Sequence, residues 1–173
     1  YKDEYKDIEN AKRYYEMAIE KGDSRAMYNL ALLYYAQHQN KQKAISLIKQ
    51  SISLKTSPTS SLLLSIILLW DNQYKSSIQA FYEFMQYSEA KEYLEFTKDY
   101  FLLLLAKRQY HGAHKLFQEF AIFQDMFKPI YFAILSFLQE EYPKEYLKMG
   151  DELAQTVEEI LDRVKEMARD YKD

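Results

Sequence analysis

Residues 11–35, AKRYYEMAIEKGDSRAMYNLALLYY, decide the fold of this chain. Ala11, Tyr15, Ala18 and Ile19 stand at offsets of four, three and one, the apolar stripe of an amphipathic helix. Gly22 stops that helix, because glycine accepts the left-handed conformation that closes helices, and Asp23 is placed to cap the first amides of the next. Ala26, Leu30, Leu33 and Tyr34 then repeat the helical spacing. So short a turn makes the two helices antiparallel neighbours. Tyr14, Tyr15 and Tyr34 are expected to fill the gaps opposite the small alanines.

Moving outward, the pattern returns. Ala11, Ala44 and Ser77 are 33 residues apart, and Ala113 follows Ser77 by 36. Each is a small residue at the same point of a helix. Large residues track them four positions on, as Tyr15, Ile48, Phe81 and Phe117. A tyrosine three before the small residue recurs as Tyr74, Tyr110 and Tyr142, although in the last unit Glu145 occupies the small position. Periods of this length are the mark of helical repeats. The registers predict one set of helices near 5–21, 40–54, 72–87, 110–123 and from 143, alternating with a second set near 23–37, 58–71, 88–108 and 127–140. Ser57 before Pro58 reads as an N-cap and first helical residue, Asn40 and Asp71 or Asn72 as helix starts, and Pro129 and Pro143 as first-turn residues.

The order A-xxx-Y-xx-A-I-E-K-G-D-xx-A-xxx-L-xxx-Y resembles a Sel-like repeat, a relative of the tetratricopeptide repeat (TPR). Ala11, Tyr15, Ala18, Ile19 and Gly22 resemble the second helix and exit turn of one unit, and Ala26, Leu30 and Tyr34 the first helix of the next. Sel-like units usually carry a glycine-containing loop between their helices. Here YYAQHQNKQKA has no glycine and is of TPR length. The resemblance implies an all-α fold, an α-α superhelix (a right-handed solenoid of antiparallel helix pairs) of about four to five units in one domain, 1–173. The units are expected near 5–22, 23–55, 57–87, 88–123 and 127–150, with a capping helix over 151–170.

Composition agrees with an all-helical chain. A compact chain of 173 residues buries roughly 70% of its unfolded surface. Seventeen tyrosines and ten phenylalanines supply an interior, while three glycines and three prolines leave few breaks. SLLLSIILLW at 61–70 and FLLLLA at 101–106 are apolar all round. Both are too short to span a membrane, which takes ~20 apolar residues. A helix without a polar face is either the centre of an array or a surface for another subunit, and the centre is the expectation. After Pro143, Leu153, Val157, Ile160, Leu161, Val164 and Met167 form one stripe among charged residues. That is the pattern of a terminal helix covering the last unit, with Gly150 placed to break or weaken it.

The net charge of −3 implies no bulk attraction to nucleic acid. Its distribution is uneven. Between Asp23 and Asp71 there is no acidic residue, while Arg25, Lys41, Lys43, Lys49 and Lys55 are basic; the remainder holds 18 basic and 26 acidic residues. Either these cations form a solvated face or they make an electropositive end that meets an acidic partner.

The chain contains no cysteine, which excludes disulfides, thiolate metal sites and cysteine nucleophiles. It fits the cytoplasm, the expected compartment, and equally the periplasm or secretion after loss of a signal peptide. A start at Tyr1 also fits a trimmed chain, and the final DYKD matches the beginning of an acidic epitope tag. No catalytic motif, phosphate loop or cofactor motif is present. His111 and His114, three apart, with Glu119 downstream, are the minimum geometry for a metal pair and lack a third ligand at suitable spacing. The acid pairs Glu140–Glu141 and Glu158–Glu159 read as solvated charge. No enzyme, metal or cofactor is nominated.

What the resemblance implies for function is a concave groove, lined by the first helix of each unit, that holds a peptide or partner protein. Carried onto the clearest unit, the groove positions are Arg25, Tyr28, Asn29, Leu32 and Tyr35, with Lys98 further along. Arg25 can fork onto a carboxylate, Asn29 can bond a peptide backbone, and the tyrosines offer rigid contact area. The matching face of the third unit, Ser61, Leu62, Ser65 and Leu68, carries no charge. Two other readings stand beside this one. Residues 57–85 faintly resemble a pentatricopeptide repeat, which implies RNA binding, against which the acidity argues. The 61–70 helix would serve a homodimer.

Overall fold

The computed structural model describes residues 2–139 and 150–171. Among them there are only helices and turns: α1 (Lys2–Glu20), α2 (Ser24–Ala36), α3 (Lys41–Leu54), α4 (Pro58–Trp70), α5 (Tyr74–Met85), a 3-10 helix (Ser88–Glu92), α6 (Leu94–Ala106), α7 (Tyr110–Glu119), α8 (Ile122–Met126), α9 (Lys128–Leu138) and α10 (Asp151–Asp170). The helices gather into two compact units, Tyr1–Tyr93 and Leu94–Asp173.

Punctuation follows the sequence closely. Gly22 takes φ +80, and Asp23 accepts from the backbone N–H groups of Arg25 (2.9 Å) and Ala26 (3.1 Å). Ser57 accepts from Ser60 N–H at 3.2 Å, directly before Pro58. Other turns do without glycine. His38, Asn72, Arg108 and Gln139 all adopt the left-handed conformation (φ 51, 62, 59 and 56), at intervals of 34, 36 and 31 residues, each just past the end of a helix. In the first three, the next residue's N–H reaches back to a carbonyl five residues earlier: Gln39 to Tyr34, Gln73 to Leu68 and Gln109 to Leu104. This is a Schellman closure. Asp71 and Asn72 therefore end α4 rather than start α5. Asn40 does precede α3, without a side-chain capping bond.

The small-then-large register is a burial register. Ala44, Ser77 and Ala113 are buried, as are Ile48, Phe81 and Phe117 four positions on, while Ala11 and Tyr15 are half-buried. Ser77 Oγ donates to the Ser65 carbonyl of α4 at 2.7 Å, and Ser51 Oγ does the same to Ser24 of α2. The small side chain thus lets two helices touch. Tyr142, Pro143 and Glu145 lie outside the described residues.

In the first unit, α1 to α5 pack consecutively, and α2 also meets α4. α4 is the centre: ten of its thirteen residues are buried, so its apolar surface is spent on α2, α3 and α5. One tyrosine was misplaced. Tyr14 is 70% exposed, while Tyr34 is buried. Adjacent helical residues point about 100° apart, so Tyr14 and Tyr15 cannot share a face.

Two expected helices are interrupted. In place of a helix over 88–108, the 3-10 helix runs to Glu92 and α6 begins at Leu94. The tighter coil sets Tyr93 edge-on against Phe84, with centroids 6.3 Å apart. In place of 110–123, α7 ends at Glu119 with Phe120 as its C-cap, and Gln124 Nε2 donates to the Phe117 carbonyl at 2.9 Å. The break drops Phe123 beside Phe101 (5.0 Å) and Phe117 (5.9 Å). At the second break aromatic burial outweighs continued helix, since a buried Phe is worth about 1.5–3 kcal/mol; no glycine or proline announces either break.

In the second unit α6 to α9 pack around that phenylalanine cluster, and α10 lies against both α6 and α9. Its stripe turns inward as expected. Val157 and Val164 are buried, Leu153, Ile160, Leu161 and Met167 half-buried, and Val157 packs with Phe132 and Leu135. Gly150 sits at the N-cap and precedes the helix instead of breaking it. No described helix is long and apolar enough to cross a membrane.

Candidate interaction site

The five positions Arg25, Tyr28, Asn29, Leu32 and Tyr35 share one stripe of α2, because their spacings of three and four match the helical turn. The opposite face carries Ala26, Met27, Leu30, Ala31 and Tyr34 into the core. Burial therefore fixes the rotation of the helix and leaves Arg25 and Leu32 outside; Leu32 is 40% exposed.

The other three are half-buried and differ in their commitments. Burial, and then the adjacent Tyr93, pushes the Tyr28 hydroxyl above its ordinary value of 10.0. Tyr35 meets the Trp70 ring edge-on at 5.5 Å, with His38 also at 6.0 Å from Trp70 and Lys41 Nζ 5.1 Å from its centroid. Tyr35 thus joins α2 to α4. Asn29 makes no side-chain hydrogen bond or ring contact among the described residues, and with Arg25 and Leu32 it makes the accessible part of the stripe.

The stripe does not continue onto α4. Ser61, Leu62, Ser65 and Leu68 are all buried, so none lines an open surface. The cause is the same uniform apolarity that makes α4 the centre of its unit. Lys98 is half-buried on α6, in the second unit.

A neighbouring cluster escaped the sequence reading. Tyr34 is capped by two lysines, with Lys12 Nζ 5.7 Å and Lys43 Nζ 5.4 Å from its ring centroid. A hydrogen bond to the Tyr34 hydroxyl, together with Glu16 at 3.8 Å, raises the Lys43 ammonium above its ordinary value. The three side chains come from α1, α2 and α3, so no local motif could have joined them. Their effect is to close the edge of the core with charge. Arg25, Lys49 and Lys55 remain exposed.

His111 is exposed, while His114 is half-buried, its ring centroid 6.3 Å from that of Tyr131. Among the described residues no three histidine or acidic side chains gather into a metal-holding set. Glu158 and Glu159 are exposed, and Glu140–Glu141 lie outside the described residues. No protein-family model, curated protein or solved structure matches this chain.

Proposed function

We propose that this chain is a non-catalytic scaffold, a TPR-like or Sel-like α-α superhelix that binds a peptide or partner protein along α2. The recurring left-handed turn at His38, Asn72 and Arg108 supports the repeat reading, since each closes one helix and starts the next with the same hydrogen bonds. The observation that carries the binding site is the accessible stripe of Arg25, Asn29 and Leu32 on a helix whose other face is locked into the core. An exposed leucine beside an arginine offers an apolar contact and a carboxylate fork together. The acid-free sequence between Asp23 and Asp71 favours an acidic partner.

Affinity capture from the native host with wild type beside Arg25→Glu/Leu32→Asp tests this. Both substitutions are on exposed residues, so helicity is expected to be unchanged. A protein held by wild type and lost by the variant supports the reading; equal recovery by both removes α2 as the site.

A further inference from the structure

We propose that the second unit holds a binding site for a small carboxylate with an aryl or branched-alkyl body, in the hollow where the turn between α6 and α7 meets the C-terminal ends of α9 and α10. The hollow encloses ≈ 200 Å³. Its floor is apolar: Leu105 and Val164 are buried, and Ala168 half-buried. Tyr110 and Phe137 line it as a rigid wall, their rings stacked 4.6 Å apart at an interplanar angle of 3°.

The rim has the opposite character. Arg108 comes from the turn, and Lys165 and Arg169 come from successive turns of α10; all three are exposed and all three line the hollow. Among the described residues none of the three lies within 4.0 Å of a carboxylate, so each is open to an anion. Lys165 and Arg169 are four apart, a like-charge spacing that disfavours a helix. Arg108 stands in the left-handed conformation, at the place where Asn72 closes the equivalent turn. Each of these choices has an electrostatic or conformational cost that an anion between the three cations would offset.

The ligand class follows from the two halves. Two guanidinium groups match the planar fork of a carboxylate. An apolar floor with a few convergent polar groups is the usual make-up of a small-molecule site, and it strengthens charged hydrogen bonds made above it. An anion without an apolar body would leave that floor wet. The site is independent of the α2 stripe and stands or falls separately.

Calorimetric titration of the whole chain with phenylacetate, 4-methylpentanoate, phenylacetamide and inorganic phosphate tests the assignment. At least one of the two carboxylates is expected to bind, with phenylacetamide and phosphate each weaker by about tenfold or more. Arg108→Asn/Arg169→Gln is expected to weaken the carboxylate by about tenfold or more, with circular dichroism unchanged because asparagine suits the left-handed turn. Lys115→Gln, which removes a cation paired with Glu119, should leave binding intact. The proposal is overturned if neither carboxylate binds, if the amide or phosphate binds equally well, or if the double variant binds like wild type.

Discussion

Asn72 shows how one side chain closes a turn between two helices. It ends α4 at φ 62, a conformation that asparagine tolerates and alanine resists. Asn72→Ala is therefore expected to cost about 1 kcal/mol, and Asn72→Gly to change stability by only about a few tenths, as urea midpoints would show. Equal effects would mean that the turn does not depend on the left-handed residue. Ser77 is subject to a different constraint. Its hydroxyl bonds the Ser65 carbonyl, but three equivalent positions hold alanine. Ser77→Ala should cost about 1 kcal/mol, whereas Phe81→Ala, four residues on and fully buried, should cost about 3–5 kcal/mol. If Ser77→Ala proved the costlier of the two in denaturant unfolding, the packing account of the register would be wrong.

At the scale of elements, α10 was the most legible and the short helices the least. Six apolar residues at helical spacing specified which face of α10 would be buried, and each is buried or half-buried. Its start can be improved. Gly150 has extended backbone at the N-cap, makes no capping bond, and has nothing within 4 Å of where a Cβ would stand. Gly150→Ser should supply the missing acceptor and restrict the unfolded chain, stabilising by about 0.5–1 kcal/mol; a lowered thermal midpoint would contradict the geometry. The breaks at Tyr93 and Phe120 had no local signal, because both residues are ordinary in helices. At the second, the positions of Phe101 and Phe117 made breaking worthwhile. The candidate stripe was legible in its spacing but not in its extent: α2 keeps Arg25 and Leu32 outside, while α4 buries every residue of the matching face.

For the molecule as a whole, three perturbed groups among the described residues point one way in pH. Tyr28 is raised chiefly by burial and then by Tyr93, Tyr171 by burial and then by Asp170, and Lys43 chiefly by its bond to Tyr34. Each holds its proton more firmly folded than unfolded. Their contributions are complete below the ordinary values of 10.0 and 10.5, and are lost as pH rises through the higher folded values. Stability should therefore fall in alkali above about pH 10, and Tyr28→Phe should reduce that fall for the first unit. Trp70, the single tryptophan and buried in that unit, reports it by fluorescence. A Tyr28→Phe variant whose alkaline loss equals that of wild type would show that the hydroxyl is not responsible.

The sequence by itself determined the all-helical class, the small-then-large register, the caps at Asp23 and Ser57, and the inward stripe of α10. All of these arise within one helical turn or one pair of neighbouring helices, where spacing dictates which residues share a face. Tertiary structure decided the division at Tyr93, the breaks among the aromatic residues, the pairing of Lys12 and Lys43 over Tyr34, and the meeting of Arg108 with Lys165 and Arg169. These join residues from separate helices, and their geometry depends on how bulky rings settle against one another rather than on any local periodicity.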